Sequence, residues 1–140
     1  MILYVDSSVL LRIVLHEAGR LREWKQSSRW FSSQLIRTEC LRTIDRARVQ
    51  CSLPDEEVAD RRGAILDHLR AFDLITIDRA VLERAADPFP TTVGTLDALH
   101  LASALAARAT EPALVFATHD RELGVAARAT GFRVVGVPRA

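Results

Sequence analysis

Four acidic residues stand where carboxylates could be gathered for metal-ion chemistry: Asp6, Glu39, Asp97 and Asp120. Asp6 directly follows an apolar block, in Tyr4-Val5-Asp6-Ser7-Ser8, and Asp120 follows another, in Phe116-Ala117-Thr118-His119-Asp120. Asp97 falls in the first turn of a helical pattern opened by Gly94-Thr95, and Glu39 in the second turn of one beginning near Gln34. Carboxylates crowded together raise one another's pKa unless a cation neutralises them. An oxygen-only set without Cys or His suits a hard ion, Mg²⁺ or Mn²⁺. Each acid also has a local use. Asp6 and Asp120 can cap the helices that follow them, Asp97 can favour the positive end of its helix, and Glu39 borders the stripe Ile36, Cys40, Ile44, Ala47. Asp78 ends an apolar block in the same manner, in Ile75-Thr76-Ile77-Asp78, and reads as an N-cap; spacing alone does not separate it from the other four.

The elements that would position these side chains follow from hydrophobic periodicity. Short blocks rich in Val, Ile and Leu predict strands at Ile2–Val5, Leu74–Ile77, Leu114–Ala117 and Arg133–Val137, with a fifth, weaker one at Trp30–Ser32. Helical spacing predicts helices at Val9–His16, Arg20–Ser27, Gln34–Gln50, Asp55–Phe72, Arg79–Ala86, Thr95–Ala109 and Glu122–Thr130. Strands alternating with helices predict an α/β fold, a mostly parallel sheet of about five strands with helices on both faces. In such folds the carboxyl ends of strands and the amino ends of the following helices share one edge, where ligands bind. All four acids belong to that edge. The loop Pro88–Thr92 is expected to join two helices at its mouth.

A chain of 140 residues with 49% hydrophobic and 26% charged side chains has the composition of one globular domain, residues 1–140. Nineteen basic against eighteen acidic residues leave +1, which excludes a polycation that coats nucleic acid over its whole surface. The longest stretch without a charged side chain, Ala98–Ala107, is ten residues, half of what a membrane-spanning helix needs. The apolar start is cut by Asp6 and Arg12, which breaks the continuous core of a secretory signal, so a cytoplasmic location is expected. Cys40 and Cys51 share one predicted helix about 16 Å apart, too far to bridge, and read as small apolar side chains.

Tyr4-Val5-Asp6-Ser7-Ser8-Val9-Leu10-Leu11 resembles the opening of a PIN-domain nuclease of the VapC toxin type. Thr38-Glu39-Cys40-Leu41-Arg42 resembles that family's internal Glu motif, Thr95 to Ala102 its most recognisable stretch, and Thr118-His119-Asp120-Arg121-Glu122-Leu123 its last acidic motif. The four occur in family order over the whole chain. The resemblance implies a PIN-like single domain in which Asp6, Glu39, Asp97 and Asp120 hold one or two Mg²⁺ or Mn²⁺ ions and serve catalysis. Ser8 and Thr118 would support them by orienting a carboxylate or a metal-bound water. Some relatives carry a further acid beside the first or last Asp, where this chain offers Ser7, Ser8 and His119, so a second ion would be weakly held. His100, one turn from Asp97, reads as a hydrogen-bonded packing histidine rather than a catalyst.

The implied activity is metal-dependent endoribonuclease action, hydrolysing RNA to 5′-phosphate and 3′-hydroxyl ends, as the toxin of a toxin–antitoxin pair. The span Arg12–Arg48 carries nine basic against four acidic residues, a net of +5, and Arg37, Arg42 and Arg46 on the Glu39 helix are the candidate RNA contacts, with Arg48 on the same helix. Leu21, Trp24 and Trp30 form an apolar and aromatic group that the resemblance marks as the docking area for a VapB-type antitoxin, and a homodimer is expected. The alternatives are a catalytically degenerate PIN-like binding module and an aspartyl-phosphate phosphatase built on Asp6. The second wants another Asp two residues on, where Ser8 stands.

Overall fold

Leu3 and Val5 point to one side of the first strand and Tyr4 to the other, and all three are fully buried. This period-two alternation with burial on both sides is the mark of a central strand covered on two faces. The computed structural model, which describes residues 1–138, contains β1 (Ile2–Val5), α1 (Ser7–Val14), a 3₁₀ helix (Arg22–Gln26), β2 (Arg29–Ser33), α2 (Leu35–Cys51), α3 (Asp55–Leu69), β3 (Phe72–Ile75), α4 (Arg79–Ala86), α5 (Thr95–Thr110), β4 (Leu114–Ala117), α6 (Arg121–Ala129) and β5 (Val134–Val135). The sheet has the order β3-β2-β1-β4-β5, and every pairing is parallel.

Chain order therefore runs outward from β1 to β3 on one side and from β4 to β5 on the other. The reversal lies between β1 and β4, whose registered pairs end at Val5 and Ala117. A crevice opens at the carboxyl ends of two strands whose connections leave in opposite directions. Leu3, Val5, Val115 and Ala117 face one core with Val9, Leu10, Ile36, Cys40, Ile44 and Ile65 of α1, α2 and α3. Tyr4, Leu114 and Phe116 face a second core with Leu101, Ala104, Leu123 and Ala126 of α5 and α6. None of the described helices is long and apolar enough to cross a membrane.

Several boundaries differ from the sequence expectation, each for a local reason. The third strand runs over Phe72–Ile75 rather than Leu74–Ile77, because α3 ends at Leu69 and pairing of Trp30 with Phe72 and Ser33 with Ile75 sets the register. Arg20–Ser27 is not an α-helix: only Arg22–Gln26 coil, as one short 3₁₀ piece with no buried residue inside it, and so short a segment has no continuous apolar face to sustain an α-helix. The weakest expected strand lies inside the sheet, between β1 and β3. Its apolar signal is diluted by Ser32 and Ser33, which are buried because Ser32 Oγ donates to the Val5 carbonyl at 2.6 Å and Ser33 Oγ accepts from Leu35 N. The last strand is only two residues, with Gly136 beyond it at φ +96°.

Gly136 bears on the crevice, because a Cβ built there would sit 2.4 Å from the Thr118 carbonyl oxygen. Positive φ and backbone contact both exclude a side chain. Gly136→Ala is expected to destabilise the fold by at least about 2 kcal/mol, measured by chemical denaturation, from left-handed strain and overpacking together. An unchanged midpoint would show that the segment after β5 does not hold Thr118 in place.

Candidate active site

Asp6 follows β1 and caps α1. Its Oδ1 accepts from Val9 N at 3.2 Å and from Ser8 Oγ at 2.6 Å, and its Oδ2 accepts from Thr118 Oγ1 at 2.5 Å. Only 4% of the residue is exposed. The same hydroxyls are acceptors in turn: Ser8 Oγ from His119 N at 3.0 Å and Thr118 Oγ1 from Asp120 N at 2.9 Å. Two hydroxyls thus staple the β1–α1 junction to the β4–α6 junction across the switch point. Burial pushes the Asp6 carboxyl above the usual range, and the hydrogen bonds from Ser8 and Thr118 pull against that rise. Asp120 caps α6, accepting from Leu123 N at 3.0 Å.

Asp97 lies in the first turn of α5 and is half-buried. Its carboxyl is pushed up to about 6, first by burial and then by the negative charge of Asp120, with smaller contributions from Asp6 and Glu39, while His100 pulls it the other way. Glu39, in the second turn of α2, is engaged elsewhere: its Oε1 lies 2.6 Å from His100 Nε2, and His100 Nδ1 lies 2.9 Å from the Tyr4 hydroxyl. Among the described residues no three His, Cys, Asp or Glu side chains close to the spacing that would enclose an ion. Three of the four acids are hydrogen-bonded to nearby donors, Asp6 to Ser8 and Thr118, Asp120 to Leu123 N, and Glu39 to His100. The donor set fits a hard divalent cation by its chemistry, being all carboxylate oxygen, and by its charge, since a cation would relieve the repulsion felt at Asp97.

Asp78 is not among these residues. It accepts from Val81 N at 2.9 Å and caps α4 beyond the edge strand β3, two strands away from β1. Arg37, Arg42 and Arg46 are all exposed on α2. At about 100° per residue, Arg42 and Arg46 lie within about 60° of Glu39 around the helix and Arg37 about 160° away, so Arg37 faces away from the acid that the other two flank. Arg48 is paired with Asp45 at 3.1 Å. Trp24 and Trp30 are half-buried with ring centroids 5.6 Å apart, beside His68 and Phe72, and line a groove of about 300 Å³. Leu21 is 5% exposed and belongs to the core under α1 to α3 rather than to an open surface. Sequence reasoning passed over Tyr4, which reads as one more apolar strand residue. His100, read from its place one turn from Asp97 as a hydrogen-bonded packing histidine, is hydrogen-bonded to Glu39 and Tyr4, partners that the spacing does not name.

The chain matches the model of the PIN domain over residues 3–129. It is 31% identical over 139 residues to Ribonuclease VapC35 of Mycobacterium tuberculosis, in strains CDC 1551 / Oshkosh and ATCC 25618 / H37Rv alike, with 95% of each chain covered. It is 33% identical over 106 residues to Ribonuclease VapC46 of strain H37Rv, with 73% of each chain covered. The chain belongs to the PIN-domain family, in its VapC branch.

The raised Asp97 carboxyl makes stability depend on pH in a definite direction. The folded chain binds this proton with a pKa of about 6, against 3.8 ordinarily, so the ionised residue destabilises the fold above that range. The penalty fades as pH falls through the folded value. In EDTA, Asp97→Asn should therefore melt higher than the wild type at about pH 8, with the advantage vanishing near about pH 4. Adding Mg²⁺ or Mn²⁺ at the higher pH should raise the wild-type melting temperature and leave the variant nearly unmoved. A difference between the two proteins that is independent of pH would mean that Asp97 is not under the field of the other acids.

Proposed function

We propose that this chain is a divalent-metal-dependent endoribonuclease that acts as the toxin of a toxin–antitoxin pair, with Asp6, Glu39, Asp97 and Asp120 as the ion-holding set. The observation that carries this reading is the placement of Asp6 and Asp120 at the carboxyl ends of the neighbouring strands β1 and β4, joined through the Ser8 and Thr118 hydroxyls at the sheet's switch point, with the Asp97 carboxyl raised by burial and by the charges of Asp120, Asp6 and Glu39. Membership of the VapC branch of the PIN family supports RNA as the substrate. These four carboxylates would hold Mg²⁺ or Mn²⁺, whose chemistry would be to activate a water and to stabilise charge on the leaving oxygen. Asp6, locked by Ser8 and Thr118, is the fixed wall of the pocket, and Asp97 and Asp120 contribute the movable charge. Ser8 is committed to Asp6 as a donor and to His119 N as an acceptor, which leaves it a support and not a nucleophile.

Around the pocket, Arg42 and Arg46 would hold substrate phosphates, and the groove at Trp24 and Trp30 would receive an antitoxin helix. Homodimerisation and a cytoplasmic site of action complete the reading; sedimentation of the purified chain as a monomer at micromolar concentration would remove the dimer from it. The second reading is a PIN-like binding module without nuclease activity, favoured by the use of a Glu39 oxygen toward His100 and of an Asp120 oxygen toward Leu123 N.

Cleavage of RNA by the purified chain, with and without divalent ions, separates the two readings. The wild type should cut only with Mg²⁺ or Mn²⁺. Asp120→Asn should lower the rate by about 100-fold or more while remaining folded, the scale of removing a group that organises transition-state charge. Absence of wild-type cleavage under any divalent ion would leave the binding module standing.

The substrate and partner surfaces should respond to different mutations. Arg42→Ala with Arg46→Ala should reduce the slope of log affinity against log salt for single-stranded RNA by about 1.4, the counterions released by two phosphate contacts. Trp24→Ala should weaken antitoxin binding by about 2 kcal/mol, as loss of an aromatic anchor does, without slowing cleavage. An unchanged salt slope or undiminished inhibition would show that the corresponding surface lies elsewhere.

A further inference from the structure

Tyr4 is a polar side chain at the centre of a hydrophobic layer, fully buried, stacked on Phe116 with centroids 5.1 Å apart and set edge-on to His100 at 5.9 Å. A buried hydroxyl at that depth needs a partner, and the Tyr4 hydroxyl has one in His100 Nδ1 at 2.9 Å. His100 is itself 1% exposed, and its other ring nitrogen reaches Glu39 Oε1 at 2.6 Å. Tyr4 and His100 belong to the layer of α5 and α6, whereas Glu39 sits on α2, whose core side chains pack against the opposite face of the sheet. The imidazole therefore joins the two layers at the carboxyl edge, where the acids meet.

The direction of these hydrogen bonds follows from counting protons. Ser32 Oγ donates to the Val5 carbonyl at 2.6 Å and Ser103 Oγ to the Leu99 carbonyl at 2.8 Å, so neither nearby serine has a proton to offer Tyr4 or His100. A carboxylate only accepts, which places a proton on His100 Nε2. In the neutral ring Nδ1 is then the acceptor, so the Tyr4 hydroxyl donates to it, and the chain runs from Tyr4 O–H to Nδ1, and from Nε2–H to Glu39. One ring nitrogen's partner sets what the other nitrogen does. Glu39 Oε1 is held by this bond while Oε2 has no hydrogen-bond partner among the described residues. A glutamate on a partly open helix face would otherwise sample several rotamers.

We propose that Tyr4 and His100 are positioning residues, which lock the imidazole in the Nε2–H tautomer so that Glu39 offers its second oxygen to a divalent cation in one fixed orientation. This rests on the metal-pocket reading above and assigns the pocket's alignment to a buried tyrosine two residues before Asp6. It explains why a tyrosine rather than a phenylalanine occupies a strand position with no access to solvent.

The test uses the full chain and Mn²⁺ as the probe, with binding followed by the loss of the free-ion electron spin resonance signal. His100→Leu should weaken Mn²⁺ binding by about 10-fold or more, and His100→Gln, whose amide can still donate to Glu39, should stay within about 3-fold of the wild type. Tyr4→Phe keeps the ring packing and should fall between them. Nitrogen-15 chemical shifts of the imidazole, read in the metal-free protein, should report the Nε2–H tautomer in the wild type and a mixture of tautomers in Tyr4→Phe. This readout does not depend on activity or on the Leu variant folding. An Nδ1–H tautomer in the wild type, unchanged shifts in Tyr4→Phe, or equal Mn²⁺ affinity of the Leu and Gln variants would overturn the inference. A wild type that binds no Mn²⁺ at all would instead overturn the metal-pocket reading on which it rests.

Discussion

The pocket hangs on one buried carboxylate. Asp6 sits where β1 gives way to α1, almost without solvent, and is tolerated there because three donors from two separate junctions meet its oxygens. Burying an acid without such donors would shift it to the neutral form or unfold the site. Two of the donors, Ser8 and Thr118, also accept backbone N–H groups from the loop entering α6, so the bonds that make Asp6 bearable also fix where Asp120 begins. Gly136 lets the chain pass close to the Thr118 carbonyl, which ties the end of the sheet to the same point. The electrostatic strain of gathering acids is thus supported by ordinary packing on both faces, where Leu3 and Val5 anchor one layer and Tyr4 and Phe116 the other.

Much of this was legible in the chain and some of it could not be. β1 and β4 are continuous apolar runs because both their faces are covered, and such runs are the clearest strand signal. β2 was faint because two of its five residues are serines whose polarity is satisfied internally, and that satisfaction depends on Val5 and Leu35, which periodicity does not see. β3 slipped by two residues because register is set by the partner strand. Asp78 could not be told from Asp6 or Asp120 on spacing, since all three cap helices after strands. What separates them is strand order, which places β3 at the edge and β1 beside β4. Tyr4 and His100 were illegible as a pair for the same reason: ninety-six positions separate them, and only the packing of α5 across the sheet brings the two polar tips together.

Capping a helix and binding an ion look like competing uses of a carboxylate, yet here the two are compatible. An ionised carboxylate has about four acceptor sites on its two oxygens. Asp6 uses three of them, Asp120 uses Oδ1 toward Leu123 N, and Glu39 uses Oε1 toward His100, so each retains capacity for a cation. The local hydrogen bonds fix direction without exhausting the acceptors, which is what an outer layer of partners around a metal site has to do. The backbone that carries the four acids is fixed by the parallel sheet and its two cores, so the hydrogen bonds to Asp6, Glu39 and Asp120 set the direction of each of these carboxylates on a common frame.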